Sequence, residues 1–213
     1  MTNRALIIID LQNDFLPGGA LAAPRGNEIV DVINRLQAQF ELVVASQDWH
    51  PPDHVSFVAN HPGCKPGDIV DVNGRDQILW PTHCVQNTAG AELSRRLVTR
   101  KVAKIIHKGA DPRVDSYSAF FDDAGRGTGL VEYLRNAGVA EVFLSGLATE
   151  YCVAFSARDA LRLGFVVHLI VDACRGIDRR PGDVVAALAE LEQRGVRLQT
   201  SAEVLACRSP ATG

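Results

Sequence analysis

The sequence predicts a single α/β domain in which helices cover both faces of a parallel sheet, and three observations predict it. Short apolar runs rich in Val and Ile alternate with longer stretches of helical period. The runs are continuously apolar, as strands buried on both faces are. A length of 213 residues at 46% hydrophobic content supports one substantial core, with no linker, repeat or low-complexity tract to mark a second domain.

Strand candidates fall at residues 6–9, 42–45, 104–106, 142–144 and 165–171. Ile29, Ile33, Leu36 and Phe40 form one helical stripe, and Val184, Leu188 and Leu191 form another, so each set predicts an amphipathic helix. Gly138, Gly164 and Gly195 each follow a helical stretch and precede an apolar run, where a left-handed cap hands the chain to the next strand. Residues 48–88 break this rhythm with Pro51, Pro52, Pro62, Pro66 and Pro81 and four of the six histidines, and a loop of that length inside a compact domain is usually functional. The domain is expected to span residues 1–206, with 207–213 as a dispensable tail.

Composition excludes several partners. A net charge of −3, with Lys and Arg scattered, offers no footprint for nucleic acid or for an anionic membrane surface. The first apolar stretch is too short for a signal peptide or a spanning helix. Cys64, Cys84, Cys152, Cys174 and Cys207 are odd in number and lack CxxC spacing, which argues against a disulfide framework and for a cytoplasmic protein with a free thiol. A homo-oligomer is left open.

In an open parallel sheet, ligands bind beyond the carboxyl ends of the strands. Asp10 ends the first run, Asp48 the second and Lys108 the third, and the fourth opens into Gly146-Leu147-Ala148-Thr149-Glu150-Tyr151-Cys152. Asp10 alone would pass for a turn or helix cap and Lys108 for a surface charge; together they bring acid, amine and thiol to one rim. Thr149 reads as an N-cap, which places Cys152 in a first helical turn where free amides and the lysine favour a thiolate. The alternative is a small buried hydrophobe, the expectation for the other four cysteines. Asp48, His50 and His54 form D-x-H-x3-H, with His83 following in Trp80-Pro81-Thr82-His83-Cys84. This set could chelate one divalent ion, zinc first, with iron or manganese as alternatives, or form a metal-free hydrogen-bonded cluster. His107 and His168 read as core residues inside strands, and Asp172 as a turn or cap residue. Gly125, Gly127 and Gly129 read as a turn, since no strand precedes them and no Lys-Ser/Thr follows.

With these motifs the chain resembles the bacterial nicotinamidases, also called pyrazinamidases, of the isochorismatase-like cysteine hydrolase group. The resemblance runs from Arg4 to about Leu205. It adds Ile9-Asp10-Leu11-Gln12-Asn13-Asp14-Phe15, Gln47-Asp48-Trp49-His50-Pro51, His107-Lys108-Gly109 and Tyr117-Ser118-Ala119-Phe120 to the matches above. It implies a Rossmann-like three-layer fold on a six-stranded parallel sheet, a triad of Asp10, Lys108 and Cys152, and metal ligation by Asp48, His50, His54 and His83. It also implies a cis peptide between Leu147 and Ala148, and a substrate pocket walled by Phe15 and Trp80, with Tyr117 and Leu147 near. The implied reaction is hydrolysis of nicotinamide, and of pyrazinamide, to the acid and ammonia in NAD salvage. A Cys152 thioester forms, and the backbone N–H groups of Ala148 and Cys152 hold the oxyanion. Two rivals stand beside it. One is an amidase of the same group acting on a carbamoyl or aliphatic amide; the other is a metal-binding module with an inert thiol.

Overall fold

The computed structural model describes residues 3–206. Six parallel strands form one sheet: β1 (Arg4–Ile9), β2 (Leu42–Asp48), β5 (Val102–Lys108), β6 (Glu141–Leu147), β7 (Val166–Arg175) and β8 (Arg197–Gln199). Their spatial order is β5-β2-β1-β6-β7-β8. From β1 the chain builds outward to one edge and then returns to build the other, so the strand order reverses between β1 and β6. That reversal opens the crevice in which doubly wound sheets hold their ligands.

The two faces carry separate cores. Leu6, Ile8, Val43, Ala45 and Phe143 pack against α1 (Ile29–Leu36) and α5 (Ser201–Ala206); Ile7, Ile9, Val44, Val142 and Leu144 pack against α2 (Leu130–Asn136), α3 (Ala154–Arg162) and α4 (Asp183–Gln193). Ile29, Ile33 and Leu36 are fully buried, as their spacing predicts, while Phe40 continues the stripe beyond a 3-10 turn. Gly138, Gly164 and Gly195 all take positive φ after helices. Asp172 caps α5, accepting the Ser201 N–H at 2.6 Å and its hydroxyl at 2.5 Å. His168 is buried and stacked on Phe143, as expected.

Three expectations need correction. β5 is an edge strand, on which Lys104 and Ile105 are exposed, so its run is not buried on both faces. His107 on the same strand is exposed too; it stacks on the Trp49 ring and is not a core residue. The proline-rich segment, read as a loop, contains an antiparallel hairpin, β3 (Ile69–Val72) and β4 (Arg75–Ile78). Its turn at Asn73-Gly74, both at positive φ, is the dipeptide that two-residue hairpins favour. The expected tail, residues 207–213 with Cys207, lies outside the described residues. No described helix is long and apolar enough to cross a membrane.

Candidate active site

Asp10 leaves β1 in the left-handed region, at φ 46°, and Ser46 of β2 donates its hydroxyl to Asp10 Oδ1 at 2.7 Å. Alongside, β6 comes so close at Gly146 that a Cβ there would meet the backbone of Ile9, so only glycine allows the approach. β6 then ends in a cis peptide between Leu147 and Ala148, and a π-type turn, Thr149–Val153, delivers Cys152. Ala148, not Thr149, occupies the cap position, and no side chain caps the turn.

Lys108, at the end of β5, joins these elements. Its Nζ is 2.9 Å from Asp10 Oδ2, bonds Asp48 Oδ1, donates to Ser116 O at 2.9 Å and lies 3.4 Å from Cys152 Sγ. Acid, amine and thiol therefore converge as the sequence predicts. Burial opposes the Lys108 charge, but Asp10 and Asp48 outweigh it and hold the ammonium well above its usual range. For Asp10, burial wins and raises the carboxyl above its ordinary value, with the Asp48 charge helping against Lys108. Burial also pushes the Cys152 thiol well up, and the two carboxylates add to it, so the pull of Lys108 loses. The expected resting thiolate is thus corrected to a neutral thiol beside a carboxyl of raised proton affinity.

The second oxygen of Asp48 faces histidines. Asp48 Oδ2 is 3.6 Å from His50 Nε2 and 3.8 Å from His83 Nε2. The other ring nitrogens are committed, since His50 Nδ1 pairs with Gly109 O at 2.9 Å and His83 Nδ1 with Pro81 O at 2.7 Å, so both Nε2 atoms are free to ligate. One carboxylate oxygen and two imidazoles within 4.8 Å of one another fit a divalent ion. His54 stands next to His50, ring centroids 4.1 Å apart, but its nitrogens group with His50 and Asp115 instead of with Asp48. Burial and the neighbouring His50 lower its pKa to about 4, so the ring is neutral. For His50, the Asp48 charge overcomes burial and raises the pKa.

A pocket walled by Phe15, Trp80 and Tyr117 also has Ala148 and Cys152 among its lining residues, with Asp48 and Ser116, the partners of Lys108. Trp80 Nε1 donates to Tyr117 Oη at 2.8 Å, fixing both rings. Leu147, which the resemblance places near the substrate, is fully buried in the core cluster that also holds Ile29 and Ile33, and it is not among the residues lining this pocket. Sequence reasoning missed Leu21, Asp115, Ser116, Tyr151 and Ile177, which also line the pocket, and Gln12. Buried Gln12 accepts the Asp48 N–H and donates to Asp48 O, both at 2.8 Å, locking the end of β2.

The isochorismatase domain model matches residues 4–203. The chain belongs to the isochorismatase family. It is 48% identical to a nicotinamidase of Escherichia coli, over 95% of this chain and 97% of that one. A nicotinamidase/pyrazinamidase structure from Acinetobacter baumanii superposes with a TM-score of 0.92 at 42% identity, covering 96% of this chain and 99% of that one. The pyrazinamidase of Pyrococcus horikoshii, solved in complex with zinc, gives 0.78 at 40% identity, covering 93% and 99%.

Proposed function

We propose that this protein is an amide hydrolase that converts nicotinamide to nicotinic acid and ammonia, accepts pyrazinamide in the same pocket, and so serves NAD salvage. The observation that carries the reading is the fourfold contact of Lys108 Nζ with Asp10, Asp48, Ser116 and Cys152, the last three of which line a pocket with aromatic walls.

Asp10, Lys108 and Cys152 are the catalytic residues. The pyridine ring lies among Phe15, Trp80 and Tyr117, which orients the carboxamide toward Cys152 Sγ and excludes bulk water. Asp10 takes the thiol proton as sulfur attacks the carbonyl carbon, while Lys108 holds the carboxylate and favours the developing thiolate. The N–H groups of Ala148 and Cys152 receive the oxyanion. Asp10 then protonates the departing nitrogen, the C–N bond breaks and ammonia leaves a thioester. Asp10 next draws a proton from water, whose oxygen attacks the thioester carbon; the C–S bond breaks, nicotinic acid leaves and the thiol regains its proton.

Asp48, His50 and His83, with His54 beside them, would hold one divalent ion, zinc first among zinc, iron and manganese. When bound, the ion supplies an electropositive anchor for the pyridine nitrogen. The buried Cys84 and Cys174 are unpaired thiols, which supports the cytoplasm as the compartment. The deciding experiment measures ammonia release from nicotinamide with metal-stripped and reconstituted protein. Release that falls on stripping and returns with zinc supports the reading; none in either form overturns it.

A further inference from the structure

Glu150 stands two residues before Cys152 in the same turn, yet nothing in the chemistry above employs it. Its Oε1 accepts two successive backbone bonds, from the N–H of Ile177 at 2.9 Å and of Asp178 at 2.6 Å. Both amides belong to the segment that links β7 to α4, and Ile177 is one of the apolar residues of the ring pocket. The segment is fitted closely to the carboxylate: a Cβ on Gly176 would strike Glu150 Oε2 and the Val184 side chain. It is tied at its far end as well, since Asp178 Oδ1 accepts the N–H groups of Gly182 and Val184 at 3.1 and 3.2 Å. Arg179 lies over the Trp80 ring at 6.0 Å, so the same segment touches a second pocket wall.

A charged acceptor on two adjacent amides is among the stronger hydrogen-bond arrangements available to a loop. We propose that Glu150 is a positioning residue that clamps residues 176–178 against the ring pocket, so that Ile177 fixes the space beside the substrate ring and sets which ring substituents enter. The proposal rests on the amidase reading above. It makes the turn that carries the nucleophile also the anchor of one substrate wall. Oε1 makes both bonds while Oε2 is buried with no hydrogen-bond partner, so a glutamine can keep the clamp and an alanine cannot.

The test compares wild type, E150Q, E150A and I177A on nicotinamide and on a nicotinamide bearing a methyl group at C5, by ammonia release. A single methyl is worth roughly tenfold or more in discrimination at a closed apolar wall. E150A should therefore raise KM for nicotinamide and narrow the preference for the unsubstituted ring by about tenfold, I177A should narrow it likewise, and E150Q should restore most of it. Unchanged preference in E150A overturns the proposal, as does an E150Q variant no better than E150A. If E150A does not fold, an I177A protein with wild-type preference overturns it equally. Wild-type protein that releases no ammonia overturns the amidase reading together with the clamp, whereas wild-type turnover with unaltered preference in the variants overturns the clamp alone.

Discussion

The carboxylate of Asp48 bonds the Lys108 ammonium through Oδ1, while its Oδ2 lies 3.6 Å from His50 Nε2. One buried side chain thus connects the amine beside the thiol with the histidine cluster. Burial opposes its charge, yet Lys108 and His50 hold the carboxyl well below the usual range. Asp48→Asn should lower zinc affinity tenfold to a hundredfold or more and depress turnover even in saturating zinc, because Lys108 loses one of its two anionic partners. Zinc titration followed by rate measurement checks it; full recovery in excess zinc would reduce Asp48 to a ligand alone.

Cys152 is buried yet lines the pocket, and its Sγ lies 3.4 Å from Lys108 Nζ. Cys152→Ala should leave zinc content and nicotinate binding near wild type while ammonia release falls by roughly 10⁴-fold or more, the cost of losing a covalent route. Calorimetric binding beside a single-turnover assay separates the two effects. Appreciable residual turnover would remove the thiol from the mechanism.

How far the sequence reveals this arrangement depends on whether a residue's role is local. The runs at β1, β2 and β6 are legible because both faces of a central strand must be apolar, and Asp10, Lys108 and Cys152 are legible because strand ends define the rim. Residues 104–106 read like the others, but they sit on the sheet edge with Ile105 exposed, and an apolar run does not encode which strand has a neighbour. The protonation of the resting thiol is hidden for a similar reason: helix position and a lysine are visible in sequence, whereas complete burial beside two carboxylates is not. Ile177 and Asp115 reach the pocket on loops far along the chain and carry no spacing signal, whereas Asn73-Gly74 carries one that the surrounding prolines obscure.

His50 makes metal binding a proton-releasing step. The Asp48 charge raises its pKa above 6.5 despite burial, so the proton stabilises the metal-free fold below pH 6.5 and that contribution is lost as pH rises through the folded pKa. Metal needs the neutral ring, so zinc binding should release protons wherever the ring is still charged and should tighten as pH rises through the folded pKa. His54, held at about 4, contributes with the opposite sign: stability is lost as pH falls from 6.5 toward 4. Zinc calorimetry in two buffers of different ionisation enthalpy counts the protons, and equal heats in both would show that His50 binds metal from an already neutral state.

Gly109 follows Lys108 and supplies the carbonyl that holds His50 Nδ1 at 2.9 Å. Its φ is 64°, and a Cβ at this position would overlap the His50 ring. Gly109→Ala should therefore rotate or displace the imidazole and weaken zinc binding by about tenfold to a hundredfold, the usual range when a ligand's support is disturbed. Backbone strain alone would cost about 1 kcal/mol of stability and leave the metal site intact, so a control is needed that has the strain without the overlap. Gly138 provides it, with φ at 70° and nothing within 4 Å of where an added methyl would sit. Competition with a chelator should show weakened zinc binding in Gly109→Ala and wild-type binding in Gly138→Ala. Equal affinities in the two variants would mean that the Gly109 carbonyl does not govern how His50 faces Asp48.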